Sequence, residues 1–152
     1  MDKVLTTVLL IVAGVVSAVM VMNMIIPAVQ RSSSDVIAVS NKLGDRINSD
    51  ITILEADVDG NNVIFWVKNV GTFRVVSIEN SDIFYGQEGD FVRIPYGAGD
   101  PYWDFSFEGG ATEWTTSKTL KVTIHLSSPP SGTKWLKMVI PTGIMDEHTF
   151  SV

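Results

Sequence analysis

The stretch that decides the fold lies near the N-terminus, where residues 4–26 read VLTTVLLIVAGVVSAVMVMNMII. No residue from Val4 to Gln30 carries a charge. A helix needs about 20 apolar residues to cross the hydrocarbon core of a bilayer, so this stretch is long enough to do so. It is also apolar on every face and must therefore be surrounded by lipid or by other apolar helices.

Three interpretations of this stretch remain open. It could be a cleaved secretory signal, with Val16 and Ala18 as the small-residue pair before the cleavage site. It could be a simple membrane anchor. The favoured interpretation is a helix that first sits in the membrane and later packs against copies of itself in a filament. The residues expected to pack in that filament core are Val4, Leu5, Val8, Ile11, Val12, Gly14, Val15, Ala18, Val19, Met22, Ile25, Ile26 and Pro27.

The helical pattern continues beyond the apolar stretch. An apolar stripe at helical spacing, here called the outer stripe, consists of Val29, Val36, Val39, Leu43 and Ile47. Pro27 lacks a backbone N–H and is expected to bend the helix there rather than end it. A continuous helix from Asp2 to Asn48 would be roughly 70 Å long at 1.5 Å per residue, over twice the thickness of a bilayer core. Such a helix predicts a protein partner outside the membrane.

Charge divides the chain into two parts, which are predicted to be a helical domain at residues 1–49 and an outer domain at residues 50–152. The first part carries four basic and three acidic side chains, and the second carries seven basic and fourteen acidic ones. The net charge of the whole chain is −6. This acidity argues against a nucleic-acid partner, because binding phosphates requires a basic face. The chain has no cysteine, which excludes disulfides and thiolate metal sites.

From Asp50 onward the hydrophobic period changes from 3.6 to 2, which indicates β-strands. Lys121 to Ser127 is the clearest case, with Val122, Ile124 and Leu126 expected to point inward. The predicted strands are residues 51–57, 63–70, 73–78, 82–85, 91–94, 121–127, 134–140 and 149–152. Short strands separated by turn residues, without a helical pattern, predict an antiparallel sandwich or barrel. The fold class is therefore α+β, with a long N-terminal apolar helix and an antiparallel β-sandwich head.

An acidic, aromatic stretch from Glu79 to Glu113 stands apart within the head. Its aromatic residues are Phe84, Tyr85, Phe91, Tyr96, Tyr102, Trp103, Phe105 and Phe107. Residues 97–101, Gly-Ala-Gly-Asp-Pro, predict a loop. Exposed aromatic side chains here would serve subunit contact or carbohydrate adhesion, whereas buried ones would simply cover the edge of the sandwich, which is the favoured interpretation.

The sequence offers little catalytic chemistry. Its two histidines, His125 and His148, accompany no nucleophile or phosphate-binding motif, and the alternation points His125 to solvent. We therefore expect no enzyme activity, no cofactor and no small-molecule substrate. Asp57, Asp59 and Asn61 resemble the start of a calcium loop. A hairpin turn around Gly60 is the favoured interpretation of that segment, so no metal site is expected.

The layout of the chain resembles the archaellins and the related FlaF/FlaG-type accessory proteins of the archaeal motility filament. Residues 2–26 resemble their apolar assembly helix, and residues 63–72 resemble their second strand with its Val-x-Asn-x-Gly pattern, here Val67, Asn69 and Gly71. Residues 141–152 are similar to the closing turn and strand of FlaG-type proteins. The resemblance implies an Ig-like sandwich outside a helical core. Position 5 is Leu5, unlike the glutamate of bacterial type IV pilins.

The function expected from this resemblance is a structural subunit of an archaellum-type, type IV pilus-like motility filament. The subunit would wait in the cytoplasmic membrane, be transferred by the archaellum assembly machinery, and form a helical homopolymer on the cell surface. One alternative is a membrane-anchored archaellum accessory protein, or stator, whose sandwich binds the cell-surface layer. The other is an adhesive pilus subunit.

Overall fold

The computed structural model describes residues 2–152, which begin with a single long helix, α1 (Asp2–Asn48). The helix continues without interruption through Pro27 and through the three serines at residues 32–34. The predicted long N-terminal helix is thus confirmed. The chain divides into two compact units, of which the first ends at Lys42 and the second is Leu43–Val152.

The second unit contains eight strands in two antiparallel four-stranded sheets, which confirms the α+β sandwich. The strands are β1 (Ile51–Asp59), β2 (Asn62–Asn69), β3 (Asp82–Gln87), β4 (Asp90–Ile94), β5 (Tyr102–Phe107), β6 (Thr119–His125), β7 (Thr133–Val139) and β8 (Met145–Ser151). One sheet has the order β1-β2-β6-β5 and the other has the order β4-β3-β7-β8. The alternation in β6 buries Leu120, Val122 and Ile124, as a strand with one face on the core requires.

The core lies between the two sheets and is closed at its rim by specific contacts. Phe65, Trp103 and Trp114 are fully buried together with aliphatic side chains of both sheets. At the edge where β1 approaches β8, Ile53 donates its backbone N–H to Oδ2 of Asp146 at 2.7 Å. This bond satisfies a donor beside the irregularity between Ile53 and Glu55, where the register of β1 shifts.

Two strand predictions need correction. The predicted strand at residues 73–78 is wrong, because Val75 forms only an isolated bridge with Trp114, and Ser77 has a left-handed backbone (φ 54°) that ends any extended run. A 3-10 turn follows at Ile78–Asn80. Conversely, β5 was not predicted. Its strand forms because it pairs with β6 along its full length, which places Trp103 opposite Ile124 in the core.

Candidate membrane anchor and binding surfaces

Residues 4–26, here called the anchor segment, form part of a helix that has no buried residue among those described. This helix is long and apolar enough to cross a membrane, with a mean hydropathy of 2.7 over its most apolar window. Thr6, Thr7 and Ser17 donate their hydroxyls to the carbonyls of Asp2, Lys3 and Ala13, one helical turn back. Because these hydroxyls are satisfied within the helix, the segment suits an apolar environment.

The outer stripe, which lies beyond the anchor segment, is also exposed. Each of its residues is more than half exposed, from Leu43 at 54% to Ile47 at 81%. A shallow groove of about 520 Å³ runs along this face between Ala28 and Val39. Neither the anchor segment nor the outer stripe packs against other residues of the same chain. Their predicted packing against a partner therefore remains a prediction.

The last residue of α1 is tied to the head by backbone hydrogen bonds, and we call this region the junction. The carbonyl of Asn48 accepts from the N–H groups of Thr72 (2.9 Å) and Phe73 (3.0 Å). Ser49 is buried and donates its hydroxyl to the carbonyl of Asp45 at 2.6 Å. The last carbonyl of the helix, which would otherwise be orphaned, is therefore satisfied by the head itself.

Asn69 and Gly71, the Asn and Gly of the Val-x-Asn-x-Gly pattern, build this junction. The fully buried Asn69 donates from Nδ2 to the carbonyls of Phe73 (2.8 Å) and Trp114 (3.1 Å), and its Oδ1 accepts from the N–H of Gly71 (3.0 Å). A Cβ on Gly71 would lie 2.5 Å from the carbonyl oxygen of Asn48. Only glycine therefore allows the loop to pass this close to the helix end.

The aromatic stretch is mostly packed against the sandwich. Trp103 and Tyr85 are buried, and Phe105 and Phe107 pack against the core from partly buried positions. Tyr102 stacks on His125 with 4.4 Å between ring centroids. Of the predicted aromatic set, only Phe91 (47%) and Tyr96 (45%) remain largely exposed.

A cluster that the sequence did not indicate forms on the outer face of the second sheet. Phe84, Phe91 and Trp135, here called the aromatic patch, come from β3, β4 and β7. The ring of Phe91 lies 6.0 Å from that of Phe84 and 4.6 Å from that of Trp135. The backbone of Phe91 approaches Gly86 so closely that a Cβ there would collide with it. Phe91 is 47% exposed, and Phe84 and Trp135 are partly buried, so the patch offers a half-exposed aromatic surface of the kind found at contact sites.

Charged side chains border the aromatic patch. Arg93 pairs with Asp82 at 2.5 Å, and Lys137 Nζ lies 3.8 Å from Glu147 and 5.7 Å from the centre of the Trp135 ring. An apolar centre with a polar border is the usual composition of a protein-binding surface.

Among the residues considered for metal binding and catalysis, Asp57, Asn61 and His125 form hydrogen bonds within the head. Gly60 and Asn61 form the two-residue turn between Asp59 and Asn62, with Gly60 at φ 60°. Asp57 accepts from the N–H of Val58, and Asn61 Nδ2 donates weakly to Ser127. Within residues 2–152 no three acidic or histidine side chains are grouped as metal ligands would be. His125 Nε2 lies 3.0 Å from Asp104, on the outer face as predicted.

A small cleft opens at one end of the sandwich beside the loop that follows β6. It has a volume of about 370 Å³ and is bordered by Tyr85, Pro101, Lys134 and residues 126–131. The Tyr85 hydroxyl has no hydrogen-bond partner, and burial raises the pKa of Tyr85 to about 12.

Comparisons with known proteins relate this architecture to the archaellum. No protein-family model matches the chain. An uncharacterized protein of Archaeoglobus fulgidus is 29% identical over 160 residues, covering 98% of both chains. The fold is similar to the archaellum periplasmic stator protein FlaG from Sulfolobus acidocaldarius, with a TM-score of 0.61 and 25% identity over 67% of this chain and 99% of that one.

A second likeness is to the archaellum periplasmic stator protein complex of FlaF and FlaG from the same organism. It has a TM-score of 0.59 and 26% identity, and it covers 66% of this chain and 87% of the matched one. The chain is therefore related to archaellum proteins, and its fold is like that of FlaG.

These likenesses correct the functional prediction. The prediction of a filament subunit is wrong, because the matched proteins are stator components and not archaellins. The expected helical homopolymer and extracellular filament location likewise have no support. An apolar helix has the same composition whether lipid or a filament core surrounds it, so the sequence could not separate these two outcomes.

Proposed function

We propose that the protein is a membrane-anchored accessory protein of the archaellum, of the stator type. The anchor segment holds it in the cytoplasmic membrane, and the acidic sandwich stands outside as a contact domain. The likeness to FlaG is the observation that carries this proposal. The apolar helix, in which none of the described residues is buried, supports the membrane anchor.

The junction fits such a role mechanically. A stator must resist the torque of a rotating part, so the helix end that meets the head must be held firmly. Direct backbone bonds from Asn48 to Thr72 and Phe73, with the buried Asn69 beside them, restrain the last helical turn against the head. A flexible glycine- and serine-rich linker at this position would not transmit force.

The anchor is tested by complementation of a strain that lacks the protein. The full chain should restore swimming, whereas the double variant Leu10→Arg, Val15→Arg should not, because each arginine costs about 2.5–3.5 kcal/mol at the centre of a membrane helix. The matched control Val36→Arg, Val39→Arg places the same charges outside the anchor segment and should stay in the membrane fraction. Full swimming with a protein released from the membrane would contradict the proposal.

We further propose that the aromatic patch contacts the cell-surface layer. Phe91 and Tyr96 make a matched pair for the test, since they are equally exposed but only Phe91 belongs to the patch. Phe91→Ser should reduce cosedimentation of the full chain with isolated surface-layer sheets by about tenfold, the effect of losing one exposed hot-spot residue. Tyr96→Ser should leave it unchanged. Equal binding of the two variants to the sheets would exclude the aromatic patch as the contact site.

A further inference from the structure

Strand β5 lies at the open edge of its sheet, because the strand order β1-β2-β6-β5 ends with it. Glu108 donates its N–H to a carbonyl of β6, so by the alternation of an antiparallel ladder Asp104 and Ser106 also bond to β6. Phe105 and Phe107 therefore direct their backbone N–H and carbonyl groups outward. In the described part of the chain these outward groups have no hydrogen-bond partner. A row of unpaired backbone groups is a template for one further strand.

The chain itself pairs with the first residue of this edge and then leaves it. Trp103 donates its N–H to the carbonyl of Pro95 at 2.9 Å and accepts from the N–H of Gly97 at 2.8 Å. Tyr96 thereby forms an isolated parallel bridge with Trp103. No described strand continues this pairing past Trp103, so the remainder of β5 offers its edge to another chain.

A groove of about 240 Å³, here called the edge groove, lies beside this part of β5. Phe105 and Phe107 line it, with 5.7 Å between their ring centroids, and Val76 lines it from a half-exposed position (47%). The ion pair between Arg74 and Glu113, with an N–O distance of 2.6 Å, borders the groove. Its size suits the apolar side chains of an extended peptide better than a whole small molecule, which usually needs about 300 Å³ or more.

The opposite face of the same edge is acidic. Asp104 and Glu108 are exposed there, with Ser106 between them. Lys121 and His125 belong to β6 and lie one strand further from the edge. A strand added beside β5 would direct alternate side chains to these two faces. Side chains on one face would enter the edge groove, and those on the other would lie beside the carboxylates, where opposite charge is favoured.

We propose that β5 binds an extended segment of another protein in which apolar and basic residues alternate. Backbone bonds to Phe105 and Phe107 provide the affinity, and the two faces of the edge select the side chains. The open edge at β4 is less suited to this, because that five-residue strand carries both Asp90 and Arg93, and charges on a short edge strand discourage pairing. The β5 edge shares no residue with the aromatic patch or the anchor segment.

The probe is a short synthetic peptide that alternates lysine and valine, added to the full chain in nonionic detergent micelles. Amide hydrogen exchange is followed residue by residue by NMR. At a peptide concentration about tenfold above its Kd, exchange of the Phe105 and Phe107 amides should slow by about tenfold. The amides of Asp104 and Ser106, which already bond to β6, should change little. A peptide that alternates glutamate and valine should give no protection at the same concentration.

Two exposed valines provide matched variants of the protein. Val76→Lys places a charge in the edge groove and should abolish the protection, whereas Val92→Lys, on β4, should leave it unchanged. No protection by the lysine–valine peptide, equal protection by both peptides, or protection of β4 amides instead would overturn the proposal. So would protection that needs no peptide and rises with protein concentration, because a second copy would then occupy the edge. Membrane anchoring does not enter this measurement, so each of these results leaves the proposed function standing.

Discussion

The substitution Gly71→Ala should test the junction sharply, because it adds one methyl group where backbone atoms already meet. A Cβ there would lie 2.5 Å from both the Asn48 oxygen and the Asp50 nitrogen, so the loop and the helix end must separate by at least about 0.5 Å. That movement weakens the bonds from Thr72 and Phe73 to Asn48, each worth about 1 kcal/mol, and adds overpacking strain of about 1–3 kcal/mol. We expect the free energy of unfolding to fall by about 2–4 kcal/mol.

The assay is urea unfolding of the full chain in detergent, followed by tryptophan fluorescence. All tryptophans lie in the head, so the signal reports that unit without the anchor helix. The midpoint should fall by about 1–2 M urea. Gly44→Ala is the matched control, since nothing lies within 4 Å of its added Cβ, and it should leave the midpoint unchanged or raise it slightly. A Gly71→Ala midpoint equal to that of the unmodified protein would refute the tight junction.

Three further predictions concern single interactions of the head. Asn69→Ala removes the three hydrogen bonds of the buried Asn69 side chain and should lower the free energy of unfolding by about 2–4 kcal/mol. The control Asn61→Ala, at an exposed position, should lower it by about 0.5 kcal/mol or less. Similar losses for the two variants in urea unfolding would show that Asn69 is not structural. The pKa of a tyrosine is near 10 in the unfolded chain but about 12 for Tyr85 in the folded protein, so the free energy of unfolding should fall as the pH rises from 10 to 12. Tyr85→Phe should abolish this fall, and it should also abolish the late step in a titration followed by tyrosinate absorbance. An unchanged titration curve would contradict the buried Tyr85 hydroxyl. Asp146→Ala should speed hydrogen exchange of the Ile53 amide by about tenfold, and an unchanged rate would mean that this bond does not hold the β1–β8 edge.

Local periodicity sufficed to predict the elements whose environment repeats along the chain. The helix from Asp2 to Asn48 and strand β6 are of this kind, because every turn or every second residue meets the same surroundings. Residues 73–78 have equal strand propensity but lack a neighbouring strand to pair with, so Val75 makes only one bridge. Conversely, Tyr102–Phe107 is a strand because β6 lies beside it, which is a non-local condition.

The candidate surfaces were harder to predict for the same reason. Phe84, Phe91 and Trp135 are separated in sequence and meet only through the pairing of three strands across Gly86. The Asn69 and Gly71 pattern was visible, but its bonds to the helix end depend on where the chain returns after residue 72. The choice between a filament subunit and an accessory protein depended on structural likeness, since both classes combine an apolar helix with a sandwich.

The location of the protein in archaellated cells tests the central claim most directly. Filaments are sheared from the cells, and the protein is quantified in the filament fraction and in alkali-washed membranes. A membrane-anchored accessory protein should remain almost wholly in the washed membranes. Recovery of most of the protein in the sheared filaments, as their main subunit, would contradict the account.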